Sequence, residues 1–287
     1  MNWTPRRERF RALLSGTRCV HPGSVFDPIS ARIAEDLGFE VGMFAGSVAS
    51  LAVLGAPDLI VLTLTEFAEQ ATRICRAGSL PLLVDADHGY GNALNAKRTV
   101  EELENAGVAA LTIEDTVLPR PFGKRGAAQL IPIDEAVGKL KAALAGRQDP
   151  TLIVVGRTGA VPVNGVEDAV ARCRAYEAAG VDALFVLGIK TKAQLDPIAA
   201  AVKRPLILGS PGPEIMDLDY LGSRGVRICL QGHQPFLAAV NAVHETLRAL
   251  RAGIPAGKLT GLPSDELMKR VTREADYARW TKDFLGG

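Results

Sequence analysis

Two carboxylates stand two residues apart at the end of an apolar run, in Pro81-Leu82-Leu83-Val84-Asp85-Ala86-Asp87-His88-Gly89-Tyr90-Gly91-Asn92. The run reads as a fully buried strand, and such a strand tolerates no polar residue without a partner. Asp85 and Asp87 therefore belong where the strand leaves the core. Side chains two apart on a strand point the same way, so both carboxylates face one spot. Like charges there repel, and a divalent cation is the simplest species that lets both stay ionised. Gly89 and Gly91 let the backbone turn tightly beside that spot.

Other chemistry-bearing residues follow other apolar runs. They are Ser47 with Val48 and Ala49 in a small-residue turn, Asp58 beyond it, Glu114 with Asp115, Arg157, Lys190, Gln231 and His233. Carboxylates with no nearby cysteine favour Mg²⁺ or Mn²⁺. Arg157 offers a planar fork for a substrate carboxylate or a developing enolate oxygen. The peptide N–H groups around Ser47 suit an anion-binding turn. Plainer roles exist for several of these: an ion pair for Arg157, a turn for Asp58, a helix start for His233.

Strands and helices alternate along the chain and position these residues. Strands are expected at 18–26, 41–45, the run ending at Asp85, 109–113, 152–156, 183–187, 205–208 and 226–230, each followed by a helix. Eight such units without a break in composition predict one α/β domain, a (β/α)8 barrel over residues 1–253. The carboxyl ends of barrel strands form the active face, where every residue named above falls. Thr65 is the expected cap of the helix reaching Ala77. Residues 254–287 read as a connector and one extra carboxyl-terminal helix. Ser264 caps it, and it bears Leu267, Val271, Tyr277, Trp280 and Phe284. That apolar surface needs a partner, the same barrel or a neighbouring subunit.

The chain has 287 residues, 47% hydrophobic and 23% charged, with a formal net charge of +1. Nothing in this balance suggests nucleic acid or an acidic membrane surface. Cys19, Cys75, Cys173 and Cys229 are widely spaced, which argues against zinc or a disulfide framework and fits a reducing, cytoplasmic location. Arg6, Arg7, Arg9 and Arg11 are followed by no long apolar stretch, so the start reads as an amphipathic helix with Phe10, Leu13 and Leu14 on one face.

The motif Asp85 to Asn92 resembles the signature of the isocitrate lyase and phosphoenolpyruvate mutase superfamily. Phe26 to Ala31, Gly46 to Ser50, Pro57-Asp58, Ile113-Glu114-Asp115 and Arg157-Thr158 fall in that family's order, and the likeness covers about residues 10 to 250. Within it the chain is most similar to the oxaloacetate decarboxylase branch, through Gly46 to Leu51, Leu111 to Thr116 and Gly232-His233. The resemblance implies that Asp85 holds Mg²⁺, directly or through water, with Asp58, Asp87 and Glu114 around it. Ser47, Val48 and Ala49 would bind the oxo-acid. Arg157 and His233 would be catalytic and substrate-binding, with Arg157 on the enolate and His233 on the far carboxylate. The implied reaction is decarboxylation of oxaloacetate, or a related β-keto acid, to pyruvate and carbon dioxide through a metal-stabilised enolate. The implied assembly is a homotetramer, a dimer of dimers, with the tail helix exchanged between subunits.

Departures from the family pattern matter too. Its carbon–carbon lyases carry a cysteine-bearing loop after strand four, and residues 122–127 here hold neither cysteine nor histidine. Gly159 replaces a polar residue after Arg157-Thr158, and residues 209–213, Gly-Ser-Pro-Gly-Pro, replace larger polar groups. These changes remove groups near the substrate's far end. Competing readings are a carbon–carbon lyase on a substituted malate, a carbon–phosphorus enzyme, an aldolase using Lys190, and a barrel that binds a small acid without turnover.

Overall fold

The computed structural model describes residues 1–286 except 124, 125, 127 and 210. Lys124, Arg125 and Ala127 of the loop noted above, and Ser210 of the 209–213 segment, thus lie outside the described residues. The chain divides into two compact units, Met1–Gly232 and His233–Gly287.

The first unit is built on eight strands: β1 (Gly23–Ser24), β2 (Gly42–Phe44), β3 (Leu82–Asp85), β4 (Ala110–Glu114), β5 (Ile153–Thr158), β6 (Ala183–Leu187), β7 (Leu206–Gly209) and β8 (Val226–Cys229). They pair in sequence order and in parallel. Val20, just ahead of β1, closes the ring. Its N–H donates to the Arg227 carbonyl at 3.0 Å, and its carbonyl accepts from Cys229 N–H at 2.9 Å. Closure leaves no open edge, and helices cover the outside, so the strands are buried on both faces as their near-continuous apolar runs require. The (β/α)8 expectation holds.

Helix starts follow capping chemistry. Asp27 with Ser30, and Asn92 with Asn95, form reciprocal caps. For the helix Leu64–Cys75 the cap is Thr63 with Glu66, not Thr65. The amino-terminal helix Thr4–Ser15 differs from a simple amphipathic helix, because Arg6 and Arg7 are buried with Phe10 and Leu14. Arg6 donates to the carbonyls of Cys75 and Gly78 (2.8 and 2.6 Å), and Arg7 to those of Val108 and Glu104 (3.0 and 2.7 Å). Arg7 also pairs with Asp149 at 2.7 Å. The guanidiniums thus satisfy carbonyls that helix ends and loops leave open.

The second unit contains the helix Gln234–Arg251 and, in the tail, two helices rather than one, Asp265–Thr272 and Glu274–Leu285. Arg273 separates them with φ of 61°, a left-handed conformation that ends the first helix with neither glycine nor proline to announce it. The helix Gln234–Arg251 falls with the tail here, whereas the sequence puts the boundary after residue 253. It has no buried residue. Leu237, Val240, Val243 and Leu247, on one helical stripe, are 52–61% exposed. Among the described residues no helix is long and apolar enough to cross a membrane.

Candidate active site

The strand β3 ends at Asp85, so Asp87 lies on the turn beyond it rather than on the strand. The alternation argument alone therefore does not join the two carboxylates; the turn does. Asp87 and Tyr90 take left-handed φ values of 47° and 58°, uncommon for residues with a side chain. The Asp87 N–H donates to Asp85 Oδ1 at 3.2 Å, and its carbonyl accepts from Glu114 N–H at 2.8 Å. This ties the turn to both β3 and β4. Thr112, opposite Asp85 in the ladder, donates its hydroxyl to Asp85 Oδ1 at 3.0 Å. Thr116 does the same for Glu114 Oε2 at 3.0 Å.

The strand β5 continues two residues further than expected, which places Arg157 within the ladder, opposite Glu114 on one side and Phe185 on the other. Its guanidinium bridges two acids, pairing with Asp85 Oδ2 through Nη1 and with Glu114 Oε2 through Nη2 at 3.3 Å. It lies 5.5 Å over the Phe185 ring. Its Nε–H is buried with no partner among the described residues, which leaves the fork a spare donor. Burial disfavours the charge on Arg157, but Asp85 and Glu114 outweigh it, and the guanidinium is held more firmly protonated than usual.

The acids show the opposite imbalance. Burial, then Asp85 and Glu114, push the Asp87 carboxyl well up, with Arg157 only partly opposing. Burial and Asp85 also raise Glu114, against Arg157. Asp58, in the exposed loop after β2, is raised by partial desolvation and then by Asp85. Asp58, Asp87 and Glu114 thus resist ionisation through burial first and through the charge of neighbouring acids second, with Arg157 opposing. Among the described residues no three acidic, imidazole or thiol groups converge to hold a metal ion, and Arg157 pairs with both Asp85 and Glu114. The donor set still fits one. It is all oxygen and carries charge beyond what Arg157 neutralises, the environment a hard divalent cation takes.

Gly46 carries the small-residue turn against this cluster. A Cβ there would sit 2.5 Å from Asp87 Oδ1. The turn is the short helix Gly46–Ala49, in which Ala49 N–H donates to the Ala45 carbonyl at 2.9 Å. The amides ahead of it, at Ser47 and Val48, are those a helix start leaves without an internal partner. Val48 and Ala49 are buried and Ser47 half-buried.

The structure therefore gathers Asp58, Asp85, Asp87, Glu114, Arg157 and the Ser47–Ala49 turn. His233 belongs to the second unit, where it immediately precedes the helix Gln234–Arg251. Lys190 is exposed, whereas a Schiff-base lysine is activated by desolvation in an apolar pocket or by a cationic neighbour. Among the described residues a Cβ at Gly159 would meet nothing within 4 Å, so they leave room at that point. Gly209 has a packing reason instead, since a Cβ would sit 2.4 Å from Leu187 and 2.7 Å from the Phe185 ring beneath Arg157.

Thr112 and Phe185, which sequence reasoning missed, complete the surroundings with Tyr90 and His88 of the motif. Thr112 precedes Glu114 by two and shares its strand face, so alternation along β4 could have found it. Phe185 had no such signal, because its pairing depends on register. Tyr90 packs near Phe67 and His88, both at 6.3 Å between ring centroids, and its hydroxyl is buried without a partner among the described residues. Burial, with Asp87 and Asp85, holds that phenol protonated. His88 is buried, and burial with the charge of Lys139 lowers its pKa to about 4, so it is neutral near pH 7.

Comparison with known proteins places the chain. The family described as phosphoenolpyruvate phosphomutase matches residues 10–251. An oxaloacetate decarboxylase of Rhodopseudomonas palustris (strain BisB18) is 62% identical over 286 residues, covering 100% of this chain and 99% of that protein. Among solved structures, a phosphoenolpyruvate phosphomutase from Streptomyces platensis subsp. rosaceus superposes with a TM-score of 0.87 at 26% identity, covering 97% of this chain and 99% of that one. A phosphonopyruvate hydrolase in complex with oxalate and Mg²⁺ gives 0.86 at 29%, covering 98% and 99%.

Proposed function

The chain belongs to the phosphoenolpyruvate phosphomutase family, and from that membership and its acidic floor we propose that it decarboxylates oxaloacetate, or a related β-keto acid, to pyruvate and carbon dioxide. The observation that carries the reading is Arg157 held between Asp85 and Glu114 among more carboxylates than it can neutralise. The similarity to an oxaloacetate decarboxylase over the whole chain points to the substrate.

Asp85 would hold a divalent cation, Mg²⁺ or Mn²⁺, with Asp58, Asp87 and Glu114 around it. When bound, the cation supplies Lewis-acid polarisation of the substrate's keto oxygen. The remaining work falls to the protein. The turn Ser47, Val48 and Ala49 would bind an oxygen of the oxo-acid, through the Ser47 and Val48 amides that the helix start leaves open. Arg157 would orient the substrate through its fork and spare Nε–H. When the bond to the departing carboxylate breaks, its electron pair passes into the keto group as a pyruvate enolate. The fixed positive charge of Arg157 stabilises the oxygen on which that charge develops. Proton addition at carbon then gives pyruvate. His233 would contact the far carboxylate, as the family resemblance implies.

In the same reading the second unit serves assembly. The exposed stripe Leu237, Val240, Val243 and Leu247, with the apolar tail residues, supports burial against a neighbouring copy in a dimer of dimers. Truncation at Gly261 should then lower the mass seen in light scattering, and an unchanged mass refutes this part. A cytoplasmic location is supported by four buried free thiols, the state a reducing compartment preserves.

The test is pyruvate and carbon dioxide release from oxaloacetate with Mg²⁺, beside an Asp85→Ala control, because free Mg²⁺ also promotes the reaction. Turnover well above the control is expected. Turnover equal to it refutes oxaloacetate as substrate and directs screening to larger oxo-acids, for which the room at Gly159 allows.

A further inference from the structure

Beneath the candidate site lies a second buried polar cluster that the proposed chemistry does not use. Asp115, Arg172 and Tyr176 are all buried. Asp115 Oδ2 accepts from Tyr176 Oη–H at 2.6 Å and from Arg172 Nη1 at 3.1 Å, and its Oδ1 accepts from Gly159 N–H at 3.4 Å. Arg172 Nη1 also donates to the Ile131 carbonyl at 3.0 Å, while Ile131 N–H donates to the Asp115 carbonyl at 2.8 Å. On its other side Arg172 Nε pairs with Asp168 at 2.8 Å, and Asp168 accepts from Asn164 Nδ2 at 2.8 Å.

Two segments that flank the candidate site meet at this cluster. One is the long loop after β4. Its base is closed by Val117 N–H donating to the Gln129 carbonyl at 2.8 Å, and Ile131 is the residue that returns it to the core. The other begins at Gly159, two residues beyond Arg157, and runs through the short helix Ala160–Asn164. Asp115 itself directly follows Glu114. Ile131 is thus fixed at both ends of its backbone, its N–H by the Asp115 main-chain carbonyl and its carbonyl by the guanidinium that the Asp115 carboxylate holds. The same carboxylate fixes the backbone next to Arg157.

We propose that Asp115, Arg172 and Tyr176 form a positioning clamp, which sets Ile131 and the carboxyl end of β5 as one unit, so that Ile131 and Arg157 keep a fixed relation. A helix-to-strand prop alone would need only packing; a buried ion pair with every polar partner satisfied is costly to assemble and loses much when any member is removed. The three residues are positioning residues, because none need touch substrate. The catalytic part of the proposal rests on the decarboxylase reading above; the structural part does not.

The test compares Tyr176→Phe, which keeps the ring in the core and removes one hydrogen bond to Asp115, with Cys173→Ala on the same helix as a control for general loosening. Amide hydrogen exchange followed by mass spectrometry should quicken in Tyr176→Phe at both 128–133 and 159–164, and in Cys173→Ala at neither relative to the rest of the helix Val166–Ala179. With oxaloacetate, kcat should fall about tenfold while KM stays within about twofold, the split expected of lost alignment rather than lost binding. Arg172→Met should reproduce the exchange pattern more strongly. Exchange that quickens only within the helix, or at one segment without the other, overturns the clamp. An unchanged kcat beside the expected exchange pattern overturns its catalytic part. If the wild type proves inactive on oxaloacetate, the decarboxylase reading fails and the exchange result still decides the clamp.

Discussion

Replacing Arg157 by lysine keeps the positive charge and removes the fork. In the native site one guanidinium reaches Asp85 and Glu114 together, and its plane lies over Phe185. An ammonium placed there reaches one carboxylate well and presents no plane to the ring. A hydrogen bond between charged groups contributes about 1.5–3 kcal/mol. The cation–ring contact adds about 0.5–1 kcal/mol. The loss is therefore about 2–4 kcal/mol, and where it is felt in the transition state kcat/KM falls about 30- to 900-fold. The charge remains, so the acids stay partly neutralised and the fold should survive, with thermal unfolding shifted by only a few degrees. Pyruvate formation would be followed by lactate dehydrogenase and NADH at fixed Mg²⁺, with the Asp85→Ala rate subtracted. Activity of the lysine variant within about threefold of wild type, a difference under about 1 kcal/mol, would refute the argument that bridging geometry rather than charge makes Arg157 effective.

Other perturbations follow from the same geometry. Thr112→Val is nearly isosteric and removes the hydroxyl that holds Asp85 Oδ1, so urea unfolding should report a loss of about 1–2 kcal/mol, and Mn²⁺ affinity read by electron paramagnetic resonance should weaken; unchanged values of both would contradict the role given to Thr112. Gly46→Ala puts a Cβ 2.5 Å from Asp87 Oδ1, and because that carboxylate must move, Mn²⁺ affinity should fall while far-ultraviolet circular dichroism stays native. Asp149 supplies a pH test. Desolvation raises its pKa, but hydrogen bonds from Thr151 and Arg7 overcome this and hold it at about 2, below its ordinary 3.8. A depressed acid stabilises the fold above its unfolded pKa and loses that contribution as pH falls through the folded one. The native protein should therefore lose about 2 kcal/mol between about pH 4 and 2, and Asp149→Asn should lack that slope in acid unfolding followed by fluorescence.

Much of this protein was legible in its sequence. Runs such as Leu82 to Val84 and Ala183 to Leu187 are short, apolar and separated by helix-length segments, and that repeat admits few arrangements besides a parallel barrel. Because barrel strands end at one face, the acids and Arg157 could be grouped before any coordinates. Asn92, Gly107 and Gly180 stand at helix ends, positions that local backbone chemistry alone favours for these residue types. The tertiary structure decided what depends on partners distant in the chain. Strand register puts Glu114 beside Arg157 and Phe185 beyond it, and no local pattern encodes register between strands joined by helices. Arg6 and Arg7 look like surface charges until carbonyls from Cys75 to Val108 are brought around them. The left-handed turns at Asp87 and Arg273 carry no glycine, so only the surrounding contacts select them. Local propensity and patterning set the elements; long-range packing and burial chose which side chains meet, because those energies exist only once the chain has closed on itself.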